Sequence, residues 1–141
     1  MNYEVTIRKT VQAPVIEAYK AFTDADTWSK WFSDKTSVDL RKGGRFSNSD
    51  GDTGEYLDIV PNRLLTFTWD GSFAGSRVEV QFKPLENGST EVSLRQYLLQ
   101  AQADAEKMAT CWSWTLASLA SFLETGKPVT MSEWKQANAI N

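Results

Sequence analysis

Apolar positions recur with two different periods along this chain, and the change of period marks out its elements. Tyr3, Val5, Ile7 and Val11 share one parity, interrupted by Lys9, which predicts a half-buried strand. Pro14 sits at the first position of a helix, where its fixed φ and missing N–H cost nothing. Val15, Ala18, Tyr19 and Phe22 then fall at i, i+3, i+4 and i+7, on one helical face. Trp28, Trp31 and Phe32 repeat that spacing in a second short helix after Asp24 and Asp26.

The middle of the chain reads as strands and turns. Gly43-Gly44, Asp50-Gly51 and Asp70-Gly71 mark reversals where positive φ is cheap. Pro61 stops one strand, and Leu65, Phe67 and Trp69 alternate along the next. Asn87-Gly88, between Val78–Phe82 and Val92–Leu94, is the strongest hairpin signal. Consecutive hairpins predict an antiparallel sheet. From about Ala103 the period becomes helical, with Met108, Trp112, Leu116, Leu119 and Leu123 on one stripe of roughly five turns. Gly126 and Pro128 end it. Nothing else is large enough to cover the apolar face of the sheet, so this helix must pack across it. The fold class is α+β.

Residues 1–127 are read as one domain and 128–141 as a tail. Thr130 with Glu133 is a capping-box pattern, and Met131 and Trp134 share a face, so a short docked helix is expected there. A lid or partner contact is its functional alternative.

Composition narrows the chemistry. There is no histidine and one cysteine, Cys111. That excludes Ser-His-Asp and Cys-His triads, cysteine/histidine zinc sites and an intrachain disulfide. Asp50-Gly51-Asp52 is the one candidate for a carboxylate-only cation site, but it lacks the other ligands of a calcium loop and reads as a turn. No metal, cofactor or catalytic residue is assigned. A net charge of -3 and a pI of about 5.0 give no footprint for nucleic acid. Met1-Asn2-Tyr3-Glu4 lacks a signal-peptide pattern and no apolar run reaches membrane-spanning length, which makes a cytoplasmic protein the default. Asn87-Gly88-Ser89 matches a glycosylation sequon but is read as a turn. The oligomeric expectation is a monomer or a homodimer.

Aromatic residues make up 12% of the chain, six of them tryptophan. Phe46, Trp69, Phe82 and Trp112, with Met108, suit the apolar wall of a ligand pocket, and they serve equally well as plain core. Parity supplies two polar candidates. If Leu57 and Ile59 face the helix, so does Glu55; if Val92 and Leu94 do, so does Gln96. Each then needs a partner or a ligand. For Glu55 the competing expectation is a pairing with Arg45 or Arg95 at the sheet margin.

The motifs also run in a recognisable order. Ala13-Pro14-Val15 and Trp28-Ser29-Lys30-Trp31-Phe32 lead. Gly43-Gly44-Arg45-Phe46 and Gly54-Glu55-Tyr56-Leu57-Asp58-Ile59-Val60-Pro61 follow. Then come Leu65-Thr66-Phe67-Thr68-Trp69 and the Trp112 helix. This series resembles the START-like (SRPBCC) superfamily, in its branch of homologues of the activator of heat-shock-protein-90 ATPase. The resemblance implies a helix-grip fold, a curved antiparallel sheet wrapped around a long C-terminal helix with two short helices after the first strand. It implies a hydrophobic cavity between sheet and helix, with Trp31 and Phe32 as a wall near its mouth. The family's histidine position, within Leu94-Arg95-Gln96-Tyr97-Leu98, holds Gln96, which leaves hydrogen bonding but no titratable imidazole. Cys111 beside Trp112 reads as an inert small hydrophobe.

Three functions are open on this reading. One is a binding module for a hydrophobic small molecule (lipid, aromatic or polyketide-like), with Trp31, Phe32, Phe46, Glu55, Trp69, Phe82, Gln96, Met108 and Trp112 around the cavity. The second is an aromatase- or cyclase-like enzyme in the same cavity. The third and weakest is a co-chaperone contact. The binder is expected, with neither nucleic acid nor membrane insertion.

Overall fold

The structure is a computed structural model that describes residues 2–31, 35–49, 51–71 and 73–137. Strand β1 (Tyr3–Val11) leads into α1 (Val15–Thr23) and α2 (Ala25–Trp31). Two short strands, β2 (Ser37–Val38) and β3 (Arg45–Ser47), precede β4 (Thr53–Val60), β5 (Leu64–Trp69), β6 (Ser76–Pro84) and β7 (Thr90–Leu99). Helices α3 (Gln102–Thr125) and α4 (Met131–Ala137) complete the chain.

All pairings are antiparallel, in the order β1-β7-β6-β5-β4-β3-β2. The first strand therefore lies against the last, with Tyr3 opposite Leu99 and Val11 opposite Thr90. Every other strand is joined to its sequence neighbour. Helix α3 packs on β1 and β7, while its Trp112 reaches Trp69 on β5, so the sheet wraps around one side of the helix. Helix α1 closes over β6 and β7.

Helix α3 begins at Gln102, within a residue of the change of period read near Ala103, and runs for 24 residues, longer than the roughly five turns expected. Its far end behaves as expected: Gly126 is left-handed at φ 83° and donates its N–H to Phe122 O at 2.8 Å. Pro14 stands one position earlier than expected, as the N-cap of α1, in extended backbone.

In the tail, α4 starts with the reciprocal pair of bonds that Thr130 and Glu133 foretold. Glu133 N donates to Thr130 Oγ1 (3.1 Å) and Thr130 N to Glu133 Oε1 (3.0 Å). None of its side chains is fully buried. The preceding backbone is held more firmly, because Trp114 Nε1 donates to Val129 O (2.7 Å) and Val129 N to Ser118 Oγ (3.2 Å). No described helix is long and apolar enough to cross a membrane.

Candidate functional site

The inner face of the sheet, against α1, α2 and α3, carries most of the aromatic rings. Leu65, Phe67 and Trp69 of β5 point inward, as do Ser76, Val78, Val80 and Phe82 of β6 and Val92, Leu94 and Gln96 of β7. Period-two alternation dictates this, since one face of each strand must leave water. Gly54 brings β4 and β3 into the same layer. A Cβ at that position would lie 1.9 Å from Thr68 O and 2.6 Å from the Phe46 ring, so only glycine lets Phe46 lie across it.

Five of the residues singled out from the sequence come together at one place. The Trp69 ring meets Trp112 edge-on at 5.3 Å and tilts against Phe46 at 6.0 Å, and Met108, one turn before Trp112 on α3, is buried with them. Gln96 is fully buried at 0% exposure. Its Oε1 accepts from Trp112 Nε1 (2.7 Å) and its Nε2 donates to Ser76 Oγ (2.9 Å). Sequence reasoning placed Gln96 inward but missed Ser76, although Ser76 shares the parity of Val78, Val80 and Phe82.

Trp31 and Phe82 meet through Phe22 of α1, at 5.1 and 5.7 Å, within the same buried core. Trp31 Nε1 donates to Ala21 O (2.9 Å), and Ser118 Oγ of α3 donates to Trp31 O (3.1 Å), which fixes the end of α2 against the long helix. Phe32 lies outside the described residues. Phe82 also borders an open pocket of about 790 Å³ at the end of the sheet, shared with Val60, Asn62, Arg63, Leu64 and Lys83. Of the eight expected cavity residues that are described, Phe82 alone lies on its wall.

Glu55 corrects the parity reading. Its side chain is 45% exposed, and its Oε1 lies 3.9 Å from Arg45, which also meets Asp70 at 3.1 Å. The cause is a register shift between Tyr56 and Asp58, where Leu57 is the extra residue opposite β5. Tyr56 faces Phe67 and Ile59 faces Leu65, so both point inward from opposite parities. Counting back from Ile59 across the bulge therefore puts the wrong residue inside. Arg95, the other expected partner of Glu55, pairs instead with Glu4 at 2.8 Å.

The residue that the bulge turns inward is Tyr56, which sequence reasoning did not consider. It is 1% exposed, between Phe46 (5.8 Å) and Phe67 (6.0 Å), and its hydroxyl has no hydrogen-bond partner among the described residues. A buried hydroxyl left so costs ~1–3 kcal/mol. Burial, reinforced by the nearby Tyr19 phenol, pushes its pKa well above the usual tyrosine range. Burial likewise raises the Cys111 thiol, which leaves it protonated and unreactive near neutrality. Every buried polar side chain described is neutral: serine, threonine or Gln96. Asp52 engages Asn48 through both its backbone N–H (3.1 Å) and its carboxylate (3.2 Å), as a turn does; Asp50 lies outside the described residues.

Comparison with known proteins follows the same outline. Residues 12–124 match the family described as activator of Hsp90 ATPase homolog 1-like protein. The activator of 90 kDa heat shock protein ATPase homolog 1 of Mus musculus is 26% identical over 98 residues, 64% of this chain and 28% of the mouse protein. The chain thus spans little more than a quarter of that relative. Among solved structures, CalU16 from Micromonospora echinospora superposes with a TM-score of 0.77 at 27% identity, over 87% of this chain and 77% of that one. DynU16, from the dynemicin biosynthetic locus, gives 0.77 at 26%, over 89% and 48%.

Proposed function

We propose, from the premise that this chain belongs to the activator of Hsp90 ATPase homolog 1-like family, that it binds a hydrophobic small molecule between the sheet and α3. The observation that carries this is the make-up of the inner face. Aromatic rings from β3, β4, β5, α2 and α3 meet there around a few neutral polar atoms, and no charged side chain is buried among the described residues. Such surroundings suit an apolar ligand with few polar groups. Trp31, Phe46, Trp69, Phe82, Gln96, Met108 and Trp112 remain the proposed lining, and Tyr56 joins them in place of Glu55.

A cyclase-like enzyme in the same interior is supported by the likeness to DynU16 and its biosynthetic locus. The described groups favour binding over proton transfer. Burial raises both Tyr56 and Cys111, which makes each a poorer base near neutrality. A heat-shock partner has only the names of the family and of the mouse relative behind it.

A broad library of neutral aromatic and polyketide-like compounds tests the proposal by melting temperature and tryptophan fluorescence. A ligand at a hundredfold excess over its Kd should add about 2.7 kcal/mol of stability. Trp112→Ala should abolish the fluorescence response by removing a wall. If no compound raises the melting temperature, the rings are core and the binding function falls.

A further inference from the structure

Of the polar side chains buried on the inner face of the sheet, Gln96 and Tyr56 differ in one respect. Gln96 is closed by Ser76 and Trp112. The Tyr56 hydroxyl meets no donor or acceptor among the described residues. The backbone goes out of its way to put it there: the bulge at Leu57 turns Tyr56 inward, and Gly54 lets Phe46 lie beside it. Phe46 and Phe67 then stand at 5.8 and 6.0 Å, inclined to the Tyr56 ring by 52° and 73°. A phenylalanine or leucine would fill such a place without carrying an unmatched oxygen.

Building on the interior site proposed above, we propose that the Tyr56 hydroxyl is the hydrogen-bond donor that fixes the carbonyl oxygen of a neutral, flat aromatic ligand. The chemistry of the ligand follows from the surroundings. A phenol offers one donor, and burial together with Tyr19 keeps its proton in place near neutrality, so the matching group on the ligand is an acceptor. No cation is buried among the described residues to offset a carboxylate or phosphate. Free fatty acids and phosphorylated lipids are therefore poor ligands, and ketones, lactones and quinone-like rings are good ones. The flanking Phe46 and Phe67 rings favour a planar partner over a flexible chain, since tilted and edge-on ring contacts add to the area buried. Gln96 then belongs to the framework and does not select the ligand.

The full-length chain and its Tyr56→Phe variant separate these roles with three probes: fluorenone, the hydrocarbon fluorene, and a fluorenone carboxylate. Tyr56→Phe should weaken fluorenone about tenfold while changing fluorene by less than about twofold. The carboxylate should bind both proteins more weakly than fluorenone does. The infrared carbonyl stretch of bound fluorenone should lie at lower wavenumber in the native protein than in the variant. The unliganded variant should melt at or above the native temperature, because it loses an oxygen that has no partner. A lower melting temperature would give the hydroxyl a structural role and overturn the proposal. If fluorenone and fluorene bind each protein with equal affinity, the interior site stands and the role of Tyr56 falls. If neither binds the native protein, both fall together.

Discussion

The β7 and β4 ends of the inner face solve the same problem in opposite ways. Each buries a polar side chain among aromatic rings, Gln96 near Trp69 and Trp112, Tyr56 near Phe46 and Phe67. At β7 the carboxamide uses one end on an indole N–H and the other on a serine hydroxyl. At β4 the phenol has nothing to bond among the described residues. Burial and polarity alone do not separate core from binding surface. The state of the hydrogen bonds does, because a satisfied group contributes to folding and an unsatisfied one detracts from it until something supplies the bond.

Three measurements sharpen or break this contrast. Gln96→Leu has the largest expected effect. It removes the acceptor of the Trp112 indole and the donor to Ser76, and should lower the unfolding free energy by about 2 kcal/mol in urea titrations. A neutral result would mean that the polar trio is dispensable and that β7 and β4 do not differ in kind.

The second measurement follows stability into alkali. An unfolded tyrosine releases its proton near pH 10.0, whereas burial holds the Tyr56 proton to higher pH in the folded chain. The folded state then binds more protons than the unfolded state, so stability falls as pH rises. The contribution of Tyr56 is complete below about pH 10 and drains away above it. Tyr56→Phe should lose less stability over that range, with Tyr19, also raised by burial, accounting for part of what remains. Parallel alkaline curves for the two proteins would show that the Tyr56 hydroxyl is not buried.

Glu55→Gln is the smallest. The Arg45 contact is long and both partners are solvated, so the change should stay within about 0.5 kcal/mol and leave fluorenone affinity unaltered. A loss of binding would return Glu55 to the interior.

These same residues show what could be read from the chain. Gln96 was legible because β7 alternates without interruption from Thr90 to Gln96, and Trp112 because a helical stripe fixes its face. The helix-grip outline was legible through turn residues and the switch of period near Ala103. Glu55 and Tyr56 were exchanged because a bulge adds one residue, and a pattern of period two has no memory across it. Ser76 was visible in the alternation of β6, yet a small polar residue at a strand start resembles a turn residue. The bond between Ser118 and Trp31 joins helices far apart in sequence, and no local period foretells it.

The pairing of β1 with β7 has a consequence for the making of the protein. Of the seven strands described, β1 leaves the ribosome first and pairs with β7, which leaves it last. At ordinary rates of synthesis the wait is on the order of ten seconds. During it Val5, Ile7 and Val11 have neither sheet nor α3 to cover them, while the hairpins from β4 to β7 can close one after another. Bringing β1 onto β7 comes late and carries the entropy of the whole intervening chain. Glu4, Arg8 and Lys9 put exposed charge on that waiting strand, which discourages it from pairing with copies of itself.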